Sequence, residues 1–210
     1  MAEVFELEGP EEGPLKAAEE ALSSGGVVVF PTDTVYGLAG RGDLPASADR
    51  LFETKRRPRD LTLPVLVATV EDAATVAVFD ARASLLARRF WPGGLTLILP
   101  RTDRTRTWDL GEERETVGVR IPDHQIALTL LAIAGPLAVT SANRSGRPTP
   151  ATCEGIRAEL GDLVAVYLCA GEPPGGVPST VVDLTEAEAR ILREGAVPRD
   201  PVLDAIGQSR

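Results

Sequence analysis

Residues 55–59 read Lys55-Arg56-Arg57-Pro58-Arg59, four positive charges within five positions. Like charges packed this closely repel, and a polyphosphate would relieve them, since guanidinium forks match phosphate oxygens. A solvated basic helix end, helped by the negative C-terminal dipole, explains the run equally well taken alone. Lys55 is the more telling residue, because the only lysines are Lys16 and Lys55. A second cluster, Thr32-Asp33-Thr34, follows the apolar run Val27-Val28-Val29-Phe30 and Pro31. Hydroxyls at the end of a buried strand can bind a small polar substrate, although a turn held by its own side chains is the simpler account of this segment alone. A third stretch, Thr140 to Pro150, offers Ser141, Asn143, Arg144 and Arg147 after a buried strand. It leads into a predicted helix with Thr149 as N-cap and Pro150 in the first turn, where free N–H groups around Ala151 could accept a phosphate. A fourth pairs Ser179-Thr180 with Arg193, and Arg120 ends another predicted strand as a further anion clamp.

Several chemistries are excluded by what is missing. The sequence has no G-x-x-x-x-G-K-[ST] loop and no G-x-G-x-x-G fingerprint. His124 is the only histidine, and Pro122-Asp123-His124-Gln125 reads as a helix start rather than part of a triad. Cys153 and Cys169 are the only cysteines, without metal-ligand spacing, so no metal site is predicted and both are expected as buried or idle thiols in a reducing compartment. No residue reads as an activated nucleophile. The inventory favours reactions driven by positioning and charge neutralisation, as phosphoryl and nucleotidyl transfer are.

The elements that must position these residues alternate between strand and helix. Helical spacing is predicted over 15–22, 46–55, 71–77, 81–90, 126–133 and 151–160. Strands are predicted at 27–30, 63–67, 95–99, 117–121, 137–140, 164–168, 179–183 and 189–193, with loops at 32–38, 102–115 and 171–178. This pattern implies an α/β fold with helices on both faces of a central sheet. The 210 residues suit one domain, with a motif-bearing core over 15–195 and a tail over 196–210. Net charge is −9, yet residues 50–120 carry +3 while 1–49 carry −8 and 121–210 carry −4. Overall acidity disfavours general nucleic-acid binding, and the basic middle suits one small, highly charged ligand. The acidic start at Met1 and the lack of a long apolar run predict a cytoplasmic protein with no membrane contact.

Seven stretches, in order, resemble the YrdC-like family of threonylcarbamoyl-AMP synthases. They are Phe30–Leu38, Lys55–Pro58, Trp91–Thr96, Val117–Pro122, Thr140–Gly146, Pro178–Asp183 and Arg193–Gly195. The resemblance implies a twisted mixed β-sheet flanked by helices around a large open cleft. It implies formation of L-threonylcarbamoyl-AMP from L-threonine, bicarbonate and ATP with release of pyrophosphate. That is the first step of threonylcarbamoyladenosine modification of tRNA, and a downstream threonylcarbamoyl transferase completes it.

By the same resemblance, Lys55 and Arg57 are the catalytic pair and neutralise ATP phosphates, with Mg²⁺ carried by the nucleotide. Thr116, Asn143, Thr149, Ala151 and Arg193 complete the ATP site. Thr32, Thr34, Arg120, Ser141 and Ser179 hold threonine, with Arg120 on its carboxylate. Direct tRNA contact is expected to be weak. The alternative is a non-catalytic YrdC-like module that binds double-stranded RNA or tRNA in a basic cleft. The chain departs from the family's N-P-L-I-V-H run, with Leu61 at the asparagine position and Leu66 at the histidine position.

Overall fold

Val28 and Phe30 pack on one side of a sheet and Val27 and Val29 on the other, and all four are buried. Alternation across a sheet covered on both faces explains an unbroken apolar run. The computed structural model describes residues 1–171 and 176–208. Its strands are β1 (Glu3–Glu6), β2 (Val28–Phe30), β3 (Gly37–Gly40), β4 (Val65–Leu66), β5 (Leu95–Pro100), β6 (Thr116–Arg120), β7 (Leu137–Ser141), β8 (Val166–Cys169), β9 (Thr180–Asp183) and β10 (Arg190–Arg193). Its helices are α1 (Glu12–Ser23), α2 (Pro45–Lys55), α3 (Val70–Val76), α4 (Ala81–Phe90), α5 (Asp103–Arg106), α6 (Gln125–Ala134), α7 (Cys153–Leu160) and α8 (Arg199–Ala205).

The ten strands form one mixed sheet in the order β1-β8-β2-β3-β7-β4-β6-β5-β9-β10. Pairing is parallel for β4–β6 and β5–β9 and antiparallel for β3–β7, β4–β7 and β5–β6. The expected mixed α/β fold is therefore present. Leu15, Ala18 and Leu22 of α1 join α6 in one apolar layer. Leu51 and Phe52 of α2, with α3, α4, α7 and α8, join the other. No helix among the described residues is long and apolar enough to cross a membrane.

Several local expectations are corrected. Helix α7 starts at Cys153, not at 151, because Thr152 Oγ1 accepts the Gly155 N–H at 3.1 Å and takes the cap role predicted for Thr149. Gly37 and Leu38, placed in a loop, open β3, a strand of Gly-Leu-Ala-Gly that strand propensity does not signal. Helix α5 interrupts the 102–115 loop, and the 196–210 tail folds back as α8, burying Val202 and Leu203. Cys153 and Cys169, expected as separate thiols, form a disulfide. The start of α7 lies against the end of β8, with Cα atoms 5.6 Å apart, a separation that a disulfide spans. Of the 171–178 loop, residues 172–175 lie outside the described residues.

Candidate active site

Helix α2 ends because Arg56 adopts a left-handed conformation, φ 50°. That turn separates its two neighbours. Lys55 stays buried at 2% exposure, while Arg57 emerges into a cavity of about 350 Å³. The cavity is built by segments that are distant in sequence. The turn after β2 supplies Thr32 and Thr34, β6 supplies Arg120, the end of β7 supplies Ser141, and the following loop supplies Asn143 and Thr149. Ser179 precedes β9 and Arg193 ends β10. An adjoining lobe of about 270 Å³ shares Arg57, Ser179 and Arg193 and adds Thr116.

Ten of the twelve residues predicted for the site thus line the cavity or its lobe. Lys55 does not. Its ammonium donates to Ser141 O at 2.6 Å, Ser141 Oγ at 3.1 Å, Asn143 O at 3.1 Å and Asn143 Oδ1 at 2.9 Å. It sits beneath the two cavity residues and ties them together. Burial, then the nearby Arg57 charge, pulls its pKa down to about 7. Ala151 also lies outside the lining, exposed in the turn before Thr152. The phosphate-accepting helix start predicted there is displaced with the start of α7.

The loop after β7 is held from within. Asn143 Nδ2 donates to Arg144 O at 2.9 Å and Arg147 O at 2.5 Å, and Asn143 Oδ1 accepts from Thr149 Oγ1 at 3.2 Å. Arg57 donates from Nε to Leu61 O at 2.8 Å and from Nη2 to Thr62 O at 3.2 Å. Arg193 spends Nε and Nη2 on Ser179 O, and Ser179 Oγ bonds Thr96 Oγ1 at 2.8 Å. Arg120, 5% exposed, donates to Gly93 O at 2.9 Å and Thr34 Oγ1 at 2.8 Å and pairs with Asp33. Burial lowers the pKa of Arg57, Arg120 and Arg193. All remain cationic, and each gains when an anion arrives.

Arg147 and Thr140 line the cavity although no role was predicted for them. Arg147 was legible as a cation four residues after Asn143 in a loop leaving a buried strand. Among the described lining residues there are four arginines, Arg57, Arg120, Arg147 and Arg193, and no carboxylate. Leu66, buried at 5% exposure in β4, lines the cavity beside Arg120, its partner in the β4–β6 ladder, whereas Leu61 is exposed.

An α/β protein built on a mixed sheet, with an arginine-lined cavity that is hydroxyl-rich on one side and free of carboxylates among its described lining, has a site suited to an anion. The chain belongs to the Sua5/YciO/YrdC family, whose model, described as "Telomere recombination", matches residues 20–195. A Mycobacterium leprae relative, provisionally named a threonylcarbamoyl-AMP synthase, is 41% identical over 99% of this chain and 95% of its own length. The structure of Pyrococcus abyssi Sua5 complexed with L-threonine superposes with a TM-score of 0.90 at 34% identity. It covers 100% of this chain, which spans 62% of that one. Escherichia coli YciO superposes with a TM-score of 0.87 at 29% identity, covering 97% of this chain and 100% of its own.

Proposed function

We propose that the protein makes L-threonylcarbamoyl-AMP from L-threonine, bicarbonate and ATP, releasing pyrophosphate. The observation that carries this reading is the cavity itself: four arginines without a carboxylate, continuous with the Thr32, Thr34 and Arg120 wall. Its fold matches a relative solved with L-threonine. Arg120 takes the threonine carboxylate, and the hydroxyls of Thr32, Thr34 and Ser179 surround the small amino acid. Arg57 and Arg193 face the phosphates from the shared lobe, with Thr116, Asn143 and Thr149 about the nucleotide.

The threonine amine attacks bicarbonate carbon, and water leaves to give a carbamate. A carbamate oxygen then attacks the α-phosphorus of ATP, and the bond to the bridging oxygen breaks as pyrophosphate departs. Arg57, Arg147 and Arg193 stabilise the negative charge that develops on the phosphates, as donors already aimed at the reacting group do. Lys55 acts one step back, holding Ser141 and Asn143 in place. Mg²⁺ enters on the nucleotide. The lining offers it no carboxylate, and no group of three or more His, Cys, Asp or Glu is placed to hold a metal among the described residues. The product then serves a separate threonylcarbamoyl transferase acting on tRNA. An RNA-binding module is less well supported, because the relatives that match this chain are named as synthases and one was solved with L-threonine.

The test is pyrophosphate release, which is expected to require both threonine and bicarbonate. Arg57→Ala is expected to lower turnover by about a hundredfold or more, the scale of one lost charge-stabilising donor, with its melting temperature preserved. Release indifferent to threonine, or an Arg57→Ala enzyme with unchanged turnover, would overturn the reading.

A further inference from the structure

Asp33 is the one member of the Thr32-Asp33-Thr34 turn that the cavity does not absorb. Thr32 and Thr34 line the cavity; Asp33 stands behind the wall with 16% of its side chain exposed. A single carboxylate oxygen, Oδ1, accepts both from Arg120 Nη2 and from the Asp123 N–H, the latter at 3.0 Å. Among the described residues it is the only carboxylate in ion-pair contact with Arg120. We propose that Asp33 is the positioning residue for Arg120, aiming its guanidinium at the carboxylate of the amino-acid substrate. This rests on the assignment of Arg120 to that carboxylate.

The geometry is restrictive. A guanidinium offers five N–H donors in a fixed plane. Gly93 O takes Nε–H, Thr34 Oγ1 takes one donor of Nη1, and Asp33 Oδ1 takes one of Nη2. Three anchors on three nitrogens fix both the position of the plane and its rotation. They leave one N–H on each terminal nitrogen, two donors open to a substrate carboxylate. Arg120 is otherwise a long side chain with several rotatable bonds, and holding it costs entropy that preformed anchors remove before substrate arrives.

The same oxygen joins two segments of the site. Asp123 lies in the turn between β6 and α6, and Asp33 lies in the turn after β2. Through Oδ1 the strand end that carries Arg120 is registered against the turn that carries Thr32 and Thr34. Because both bonds fall on one oxygen, an amide in place of the carboxylate can keep them. The role therefore demands an acceptor at that point rather than a negative charge.

Steady-state pyrophosphate release on the full chain, with threonine and ATP varied separately, tests this. Asp33→Ala is expected to raise the threonine KM by about tenfold or more, leaving the ATP KM within about twofold, as a misaligned clamp on one substrate should. Asp33→Asn, which keeps the oxygen, is expected to hold the threonine KM within about threefold of the parent. Asp33→Leu fills the same space without an acceptor and serves if Asp33→Ala does not fold. Arg120→Ala separates the two layers of the argument. If Arg120→Ala raises the threonine KM and Asp33→Ala and Asp33→Leu do not, the positioning role is overturned while the site assignment stands. If none of these changes moves it, the assignment of Arg120 itself has failed. A threonine KM that rises as far in Asp33→Asn as in Asp33→Ala also overturns the inference, since charge would then be the property used.

Discussion

Replacing Lys55 by methionine separates what its ammonium does for stability from what it does for the site. Methionine keeps the unbranched length and discards the charge. Two large terms then oppose each other. A lysine whose pKa falls from 10.5 to about 7 has a charged form that the fold disfavours. At about 1.4 kcal/mol per pKa unit, that is roughly 4 kcal/mol near neutral pH, and methionine removes it. Against this, Ser141 O, Ser141 Oγ, Asn143 O and Asn143 Oδ1 lose their common donor. The ammonium shares three N–H donors among these four acceptors, so at about 1 kcal/mol each their loss costs roughly 3 kcal/mol. The net change in stability should stay within about 2 kcal/mol, which for a chain of this size keeps the melting temperature within about 8 °C of the parent. The site has no such compensation. Ser141 and Asn143 face the cavity and lose the group that holds them, and a displacement of about 1 Å there costs on the order of a hundredfold in rate. Thermal unfolding and pyrophosphate release on the same preparation decide the matter. A variant that keeps more than about a tenth of parental turnover would refute the positioning argument, and one that loses far more than 8 °C would show that the terms do not cancel.

The depressed Lys55 pKa also sets a pH dependence. The energetic penalty of the charged form is fully present below pH 7 and fades as pH rises towards 10.5, because the unfolded chain then holds a proton that the folded one has released. Stability from this group should therefore climb between pH 7 and 10.5, and denaturant titrations should find that slope reduced in Lys55→Met. If ATP phosphates sit beside Arg57 as proposed, ATP binding should raise this pKa and draw a proton from solution near pH 7. Calorimetry in buffers of different ionisation enthalpy measures that uptake, and an equal uptake in Lys55→Met would rule Lys55 out as its source. Thr180→Val removes the hydroxyl that accepts from Gly195 N at 2.8 Å and Val197 N at 3.1 Å and donates to Val197 O at 2.5 Å. Hydrogen exchange at Gly195 and Val197 should quicken by about tenfold or more, and unchanged protection would refute the anchoring role. Tyr36→Phe strips the hydroxyl that accepts from Ala170 N at 2.9 Å and donates to Gly171 O at 2.6 Å, and it should cost about 1–3 kcal/mol in denaturant unfolding.

The fold and the site were legible in the sequence to different depths. Long apolar runs such as Val27–Phe30 and Leu137–Val139 announced central strands, because a sheet covered on both faces needs no polar alternation. Strand β3 was hidden because Gly37 and Gly40 sit where neighbours come too close for a side chain. A Cβ on Gly37 would lie 2.9 Å from Val139 Cγ1, and one on Gly40 would lie 3.0 Å from Ser47 Oγ. Packing demanded glycines that read locally as turn. The site residues were visible as types, since cations and hydroxyls stand out at strand ends. Their division of labour was not. Lys55 and Arg57 are two positions apart and look equivalent, yet the left-handed turn at Arg56 buries one and presents the other. No local pattern favoured a non-glycine residue there, because that conformation is uncommon for side chains with a Cβ. The same held for Ala151, where Pro150 in the first turn looked right and Thr152 capped the helix instead.

That division of labour follows from how differently the two cations tolerate burial. An arginine stays charged when desolvated and presents a planar fork, so Arg57, Arg147 and Arg193 can face a polyanion across a cavity with no counter-charge in its lining. A lysine in such a place would lose its proton readily, and Lys55, at about 7, already stands close to doing so. What an ammonium does better is gather several acceptors around one point, and Lys55 gathers four from two residues. The acidic remainder of the chain is compatible with this arrangement, since exposed charges beyond about 8 Å are largely screened at physiological salt whereas the buried Arg120 and half-buried Arg57 are screened much less. The net charge of −9 therefore says little about what the cavity attracts; the four arginines in its wall decide that.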